Sequence, residues 1–526
     1  MTDPTDPKSP PSARRRPSGQ HSPSARRPPS GHTRYRRQAH PVRVRLAALV
    51  GVVLAVAGAS IANAVVGSPT RAAAPPVTDG VTISPPDSTA SSVFCAGGAS
   101  GFAGLAGTTI YLTNTTSKPV SGVMTTRVAP GTGSGGNSSG TPGPAVLSQV
   151  EVPPMGTTAV NPGAALGAGD VASSFVFAGG GVTANQVVTG TGGWSTSPCA
   201  SQVATSWYFA GGSTTPGNSM TLDLFNPTST DAVLNVSFLT ASGVITPSNY
   251  QGLVVPAGHL VAENVGDFVQ NSPEIATIVS AQSTAIVAYE LQQWSSGSTG
   301  GLALRLGSPS LSTVWHFAQT TDFNRTTVTF HLANPGTQAG VATLLIGLSS
   351  ATVVPIQVPV PAQSAVAFIA SGSSRVPRQT PYAVKVTTTT GMVVSRSVQA
   401  PNGSSPPLWG SIAGTTTTGT HWLVPGPGAG TAPGTPRAGA GSLGVANWGS
   451  SPAQVRVSAL GTGAVVGSFV VAPGSLAVLG PNVIAGLQVY DVTATQPVTV
   501  EEGDNPSGAP GVVSFAGMPF APGARP

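Results

Sequence analysis

The chain repeats one short sequence pattern four times, about a hundred residues apart, and each copy ends in an asparagine. The four copies are Thr109–Asn114, Thr221–Asn226, Thr329–Asn334 and Ser442–Asn447. Apolar residues stand two and four positions before each asparagine, and the asparagines are 112, 108 and 113 residues apart. Self-similarity at a fixed long period indicates duplicated structural units. The repeat therefore predicts four tandem modules of similar fold.

Within each module, apolar and polar residues alternate as they do in antiparallel strands. Val328, Phe330 and Leu332 are apolar, and the residues between them are polar. This alternation predicts that His331 faces solvent. About seven short strands in roughly 90 residues are typical of sandwiches of immunoglobulin-like size. A propeller blade needs only about 40–45 residues, so the period excludes that fold.

The fold class that these patterns predict is all-β, with tandem antiparallel β-sandwich modules of immunoglobulin-like size after one N-terminal transmembrane helix. A larger sandwich spanning two modules is the open alternative. The predicted segments are a disordered basic tail (1–45), the transmembrane helix (46–66), a linker (67–91), four modules (92–196, 206–296, 313–401 and 420–505) and a C-terminal tail (506–526). A Gly/Ser/Pro-rich insertion at 129–145 is predicted to be a flexible loop of module 1.

The net positive charge of the chain comes from its first 45 residues. Lys8 and ten arginines stand there against Asp3 and Asp6, whereas the remaining residues carry a net charge of −3. Such a Pro/Ser/Arg-rich segment is too poor in apolar residues to fold. The net charge of +6 therefore does not indicate a nucleic-acid-binding protein.

An uncharged apolar segment follows the basic tail. Residues 46–66 are long enough to span a bilayer, which needs about 20 residues. Because the arginines lie on its N-terminal side only, the N-terminus is expected in the cytoplasm and the bulk of the chain outside it. A signal peptide cleaved after Ala62-Asn63-Ala64 is the alternative.

The two cysteines, Cys95 and Cys199, both lie in the part that would be exported. An even number of cysteines in an oxidising compartment predicts a disulfide. Neither has a histidine nearby in the sequence, so we expect no metal site there.

The residues that recur between modules are interpreted as structural. Asn114, Asn226, Asn334 and Asn447 each precede a polar turn, which an asparagine side chain can close through backbone hydrogen bonds. Trp207, Trp315 and Trp422 open modules 2 to 4. We expect them to pack at the module ends, and stacking on a sugar ring is the alternative.

The aromatic segment Trp207–Gly212, the Asn226-Pro227 turn and the Val255–Gly258 turn resemble the DUF5719 family of uncharacterised exported actinobacterial proteins. The resemblance covers about residues 90–505. It implies an N-terminal membrane segment, and it implies neither an activity nor catalytic residues.

Groups that could carry catalysis are scarce, because only 8% of the residues are charged. The densest acidic cluster, Glu501, Glu502 and Asp504, is expected to be a solvated loop, with calcium binding as the alternative. We expect neither catalytic residues nor a cofactor or metal. An enzyme that uses Asp267 or Glu290 between modules is the least favoured hypothesis.

The sequence thus predicts a non-catalytic, single-pass membrane protein of the cell envelope that acts as a scaffold or binding rod. The alternative is a carbohydrate-binding accessory protein of cell-wall polysaccharide assembly. The expected partners are the membrane and, in the envelope, glycans or proteins.

Overall fold

The computed structural model describes residues 80–100, 105–129, 145–165, 169–190, 193–296, 299–321, 326–350, 352–399, 409–425, 441–480, 489–504 and 513–519. The basic tail, the transmembrane segment and nearly all of the predicted loop of module 1 lie outside these ranges. None of the helices within them combines the length and the apolar character that a membrane span requires.

The described chain consists of 32 strands with four short 3₁₀ segments between them. We keep the names module 1 to module 4 for four groups of strands. Module 1 contains β1 (Ser91–Ser100), β2 (Leu105–Asn114), β3 (Val120–Val128), β4 (Val146–Val152), β5 (Thr157–Val160), β6 (Gly169–Phe177), β7 (Val182–Gly190) and β8 (Gly193–Pro198). Module 2 contains β9 (Ser206–Gly212), β10 (Asn218–Phe225), β11 (Ala232–Thr240), β12 (Gly243–Ile245), β13 (Gln251–Val255), β14 (Leu260–Asn264), β15 (Ile275–Ala281), β16 (Val287–Ser296) and β17 (Thr299–Leu306).

In each of modules 3 and 4, one long strand serves both of the module's sheets. Module 3 contains β18 (Ser312–Thr321), β19 (Thr327–Asn334), β20 (Gly340–Gly347), β21 (Ile356–Val360), β22 (Ser364–Ile369), β23 (Pro381–Gln399) and β24 (Trp409–Ala413). Module 4 contains β25 (Gly419–Pro425), β26 (Gly441–Asn447), β27 (Ala453–Ala459), β28 (Val465–Val471), β29 (Ser475–Leu479), β30 (Val489–Asp504), β31 (Val513–Ala516) and β32 (Met518–Pro519). The 3₁₀ segments are Pro162–Ala165, Ser248–Tyr250, Val265–Asp267 and Ala370–Gly372.

Each module forms antiparallel sheets from its own strands. Module 1 has the sheets β1-β6-β3-β4 and β5-β2-β7-β8, and module 2 has β12-β11-β15-β9 and β14-β10-β16-β17. No described strand pairs with a strand of another module, so no sheet in these ranges is shared by two modules. The prediction of an all-β chain of antiparallel sheets is confirmed. The immunoglobulin-like relationship and the module boundaries stay predictions.

The alternation of side chains places one apolar face of each sheet in a core. In module 1, for example, Val93, Ile110, Leu112 and Phe175 come from β1, β2 and β6 and belong to one buried cluster. The other face of several strands is buried too, because a neighbouring module covers it.

The last strands of the modules close a ring. β8 contacts β17, β17 contacts β24, β24 contacts β31, and β31 contacts β8. Module 4 also bonds directly to module 1, where the Thr183 hydroxyl donates to the Met518 sulfur at 3.1 Å. The four modules therefore surround a common centre, and the prediction of an extended rod is wrong.

Several segments predicted as connections belong to the folded body. β17 and β24 fall between the predicted modules, and β31 and β32 fall in the predicted C-terminal tail. β24, β31 and β32 are too short to show an alternation of their own, whereas β17 alternates through Leu302, Leu304 and Leu306 but lies outside the predicted modules. Of the predicted linker, residues 80–90 also pack on the body: Val81 and Ile83 are buried, and Ser84 O accepts from Gly181 N at 2.9 Å.

The entrance and exit of each of the first three modules are joined by paired backbone hydrogen bonds. Phe94 bonds to Ala200, Tyr208 to Ser308 and His316 to Thr415, with N–O distances of 2.8–3.0 Å. Beside this bridge, module 2 presses the Phe209 ring against Gly307, and module 3 presses the Phe317 ring against Gly414. These glycines are required by the close approach, because a Cβ on either would lie within 2.8 Å of a ring carbon.

Module 1 has a covalent link where modules 2 and 3 have this ring contact. Cys95 and Cys199 form a disulfide, and each is about 1% exposed. The predicted disulfide is confirmed. It fastens the entrance strand β1 to the segment that follows β8.

Replacing both cysteines by serine is expected to destabilise module 1. In the chain-entropy model, a loop of about 100 residues corresponds to as much as roughly 4–5 kcal/mol, although measured values are often smaller. Hydrogen exchange of the purified protein should show lost protection in β1 and β8 and little change in β19 and β20 of module 3. Reduced wild-type protein is the matched control and should behave as the variant does. Free thiols at both positions in protein purified without reductant would contradict the prediction.

Candidate functional site

The four repeat asparagines are buried and close the turns that follow them. All four have 0% exposure. Each Nδ2 donates to the carbonyl oxygen four residues later, at 2.7–2.8 Å, and to the carbonyl of Val152, Val255, Val360 or Val471. Each Oδ1 accepts from the backbone N–H two residues later, at 2.8–3.1 Å. The amide groups are thus bound to the framework and do not face a ligand.

The three repeat tryptophans are buried as well. Trp207, Trp315 and Trp422 are at most 1% exposed. Their indole N–H groups donate to carbonyls of their own modules, those of Ile286, Met392 and Gly419 respectively, at 2.9–3.1 Å. A sugar ring could not stack on side chains that are buried in this way.

The buried charges lie mainly at the seams, by which we mean the surfaces where two successive modules meet. Arg305 on β17 ties module 2 to module 3. Its guanidinium pairs with Glu290 on β16 and donates to the Ala210 carbonyl. It also reaches the hydroxyls of Ser395 and Ser411 in module 3, at 3.3 and 3.2 Å. Burial raises the pKa of Glu290, although Arg305 opposes the shift by favouring the ionised form.

His331 is the second link of the 2–3 seam, and the prediction that it faces solvent is wrong. Its Nδ1 lies 2.8 Å from Oε2 of Glu274 in module 2, and its Nε2 lies 2.7 Å from the Ser397 hydroxyl. The polar face of β19 is covered by module 2, where Gly211 on β9 packs against the imidazole ring. Alternation along one strand identifies its two faces, but it does not show that a neighbouring module covers one of them.

The acidic cluster of module 4 also differs from its prediction as a solvated loop. Glu501 and Glu502 lie on β30 and are 2% and 5% exposed. Arg396 of module 3 donates to Glu501 Oε1 at 2.6 Å and to the Gln319 carbonyl at 2.6 Å. Gln319 N in turn donates to Glu501 Oε2 at 3.2 Å. Glu501 thus serves the 3–4 seam.

One equivalent strand position contributes to the 1–2, 2–3 and 3–4 seams. A chemically different side chain occupies it in each of modules 2 to 4. In the strand ladders, Tyr289, Ser395 and Glu501 stand opposite the residues three before the repeat asparagines, which are Asp223, His331 and Gly444. Each binds the entrance strand of the preceding module. Tyr289 donates to Phe94 O at 3.0 Å, Ser395 donates to Ala210 O at 2.7 Å, and Glu501 accepts from Gln319 N.

The 1–2 seam contains two carboxyl groups where the 2–3 seam has a carboxylate and an imidazole. Asp223 is fully buried, and neither of its oxygens has a hydrogen-bond partner among the described residues. Burial raises the pKa of Asp170 to about 6. The pKa of Asp223 is raised well above its ordinary value, first by burial and then by the nearby Asp170.

Two cavities lie between modules. The first lies at the common centre and is lined by residues of all four modules, which include Ser197, Leu306, Ala413 and Met518. Its volume of about 80 Å³ is well below the roughly 300–1,000 Å³ of small-molecule sites. The second lies at the 1–2 seam, has a volume of about 320 Å³ and is lined by β3, β6 and two turns of module 2. Its size makes it the better candidate for a ligand site.

Most of the seam residues were not predicted from the sequence. Arg305, Arg396, Asp170 and Asp223 were not singled out, and Glu290 was considered only as a catalytic group. The sequence feature that could have identified these residues is a rare charged residue inside an apolar strand, as in Leu304-Arg305-Leu306. In a chain with so few charges, such a residue needs a buried partner.

The fold and these seams define an all-β protein of repeated antiparallel modules that close into a ring around buried polar contacts. Residues 156–304 match the family model of DUF5719, a family of unknown function. The predicted resemblance to this family is confirmed over those residues.

Comparisons with other proteins add little. No curated protein matches this chain. A solved structure described as "tetra-tandem repeat in extending region of large adhesion protein" aligns with 77% of this chain and 93% of its own length, at 13% identity and a TM-score of 0.11. At that TM-score the similarity supports no conclusion about the fold or the function of this chain.

Replacing Asn334 by alanine is expected to lower the free energy of unfolding by about 1–3 kcal/mol, because three carbonyls and one N–H lose their partner in a buried turn. Urea denaturation of the purified variant checks this. Gln338→Ala is the matched control, since the exposed Gln338 side chain makes none of these bonds and only its backbone carbonyl does. Equal stability of the two variants would contradict the role assigned to Asn334.

The carboxyl pair of the 1–2 seam predicts a stability that falls as the pH rises. The folded-state pKa of both aspartates lies above the ordinary value of 3.8. Both aspartates therefore contribute fully below about pH 4, and this contribution falls as the pH rises above that value, through about pH 6 for Asp170, at roughly 1.4 kcal/mol per proton and pH unit. Asp223→Asn should raise the melting temperature at pH 8 and change it little at pH 4. Asp87→Asn, at an exposed position, is the control, and a variant that responds to pH as wild type does would refute the assignment.

Proposed function

We propose that this chain is a non-catalytic protein of the cell envelope, anchored by residues 46–66, whose modules form a scaffold or binding platform outside the cytoplasm. The observation that carries the proposal is the use of the buried carboxylates. Glu290, Glu274 and Glu501 each bind a basic side chain, Arg305, His331 and Arg396 respectively, within or across a seam. The rare charged groups thus hold a ring of modules together, which is what a rigid platform requires.

The disulfide supports the extracytoplasmic location. Disulfides such as Cys95–Cys199 persist in oxidising compartments and are rare in the cytosol. The apolar segment at 46–66 and the arginines before it support the same orientation, with the N-terminus inside.

A carbohydrate-binding accessory role is the second candidate. The observation that favours it is the cavity of about 320 Å³ at the 1–2 seam, whose lining includes Thr125, Ser174, Thr228 and Ser229. Hydroxyl groups both donate and accept, as the hydroxyls of a sugar do.

Protease treatment of intact spheroplasts tests the topology. Digestion should remove the modules and spare the arginine-rich N-terminal segment, and it should leave a cytosolic control protein intact. Modules that resist digestion until the membrane is broken would refute the extracytoplasmic location. A mature protein that begins near Val65 would show that the apolar segment is a cleaved signal and would refute the anchor.

The scaffold role is tested by crosslinking in intact cells. Wild-type protein should crosslink to a reproducible set of envelope components, and Arg396→Ala should lose them, because the 3–4 seam then retains an unpaired buried carboxylate. Arg375→Ala, at an exposed position of module 3, is the control. Hydrolysis of cell-wall polysaccharide by the purified protein, abolished in Glu290→Gln, would refute the non-catalytic proposal.

A further inference from the structure

The 1–2 seam contains an arginine at a position where modules 2, 3 and 4 have apolar or small residues. Arg127 directly follows Thr126 on β3, and Thr126 lies in line with Cys95 of the entrance strand β1, because both pair with Ser173 on β6. The same ladder position is Leu239 in module 2, Gly347 in module 3 and Leu460 in module 4.

These three counterparts are packed against apolar side chains or backbone. Leu239 is 1% exposed and belongs to the apolar cluster of module 3. Gly347 lies against the Gly474 backbone, where an added Cβ would be 2.7 Å from the carbonyl oxygen. Leu460 packs on an apolar cluster. The arginine at the 1–2 seam therefore coincides with the one seam that leaves a cavity of about 320 Å³ among the cavities described.

Four of the polar side chains that line this cavity are not engaged by the protein. Within the described ranges, Arg127, Thr125, Ser174 and Ser229 make no hydrogen bond or ion pair through their side chains. The guanidinium lies over the turn of module 2, where a Cβ on Gly258 would be 3.2 Å from Nη2. The acidic group nearest in sequence to these turns, Asp231, accepts from the turn's Ala257 N–H at 2.9 Å.

The chemistry of the cavity indicates the class of ligand. A guanidinium binds carboxylate or phosphate oxygens through two parallel hydrogen bonds, and three free hydroxyls match further hydroxyls on the ligand. An apolar surface adjoins them on the same face of the sheet. Leu147 stands opposite Thr125 and is 67% exposed, and Val176, two residues from Ser174, is 54% exposed.

We infer that this cavity, lined by Arg127, Thr125, Ser174 and Ser229, binds a carboxylate-bearing sugar such as a uronic acid unit of an envelope polysaccharide. The carboxylate pairs with Arg127, the sugar hydroxyls bond to the three hydroxyl side chains, and the C–H face of the ring packs near Leu147 and Val176. Inorganic phosphate shares the oxyanion but has no group for the apolar surface. The inference rests on the carbohydrate-binding form of the proposed function and adds the ligand class to it.

Calorimetric titration of the detergent-solubilised full chain tests the inference. The probes are D-glucuronic acid, D-glucose as its neutral match, and inorganic phosphate. Glucuronic acid should bind saturably and at least about tenfold more tightly than glucose, because only it can form the charge-assisted pair. Equal binding of the two sugars, or binding of phosphate without binding of glucuronic acid, would overturn the assignment.

Variants separate the site from general effects on the fold. Arg127→Leu gives this seam the residue of its 2–3 counterpart, so it should abolish glucuronic acid binding without lowering the melting temperature. Arg127→Lys should weaken binding, since lysine keeps the charge but lacks the planar pair of donors. Arg456→Leu, at an exposed position of module 4, should bind as wild type does.

Ser174→Ala provides an independent test if Arg127→Leu fails to fold, because it removes one hydroxyl from an otherwise intact seam. It should weaken glucuronic acid binding and leave the melting temperature unchanged. Unchanged binding in either Arg127→Leu or Ser174→Ala would overturn the inference. The topology test of the proposed function does not use this cavity, so the two can fail separately.

Discussion

The three seams depend on a contact between β16, β23 or β30 of one module and the entrance strand of the module before it. Tyr289, Ser395 and Glu501 occupy one ladder position and make this contact with a phenol, a hydroxyl and a carboxylate in turn. All three bind backbone groups of the preceding entrance strand, which are present whatever its side chains are. The geometry of the seam could therefore be kept while its side chains diverged.

The scarcity of charge gives each buried ionic group a large structural effect. Removing one partner of a buried ion pair typically costs about 3–5 kcal/mol, because the remaining charge stays desolvated. Arg305 and Arg396 each satisfy a carboxylate and several backbone or hydroxyl acceptors at once. The 1–2 seam is the exception, since Asp170 and Asp223 face each other there without a basic partner among the described residues, and burial keeps their pKa values high.

Much of the local structure could be predicted, and the cause is the regularity of the modules. The strands around Asn334 follow from alternation, and the buried turn follows from the ability of an asparagine to bond to nearby backbone groups. The disulfide between Cys95 and Cys199 follows from their number and location. Strand β24 could not be predicted in this way, because its five residues are too few to show a period. β17 alternates through Leu302, Leu304 and Leu306, but its local sequence does not show which sheet it joins.

The sequence by itself determined the repeat, the strand pattern, the turn asparagines and the cysteine pair, because these depend on local spacing and on backbone hydrogen bonding. Only the tertiary structure decided that the modules close into a ring, that His331 and Glu501 are buried, and that Arg127 lines a cavity. The physical reason is that an outward-facing polar residue has the same sequence pattern whether water or another module covers it. Burial of that second face is decided by contacts between residues about a hundred positions apart. A local periodicity contains no information about such contacts.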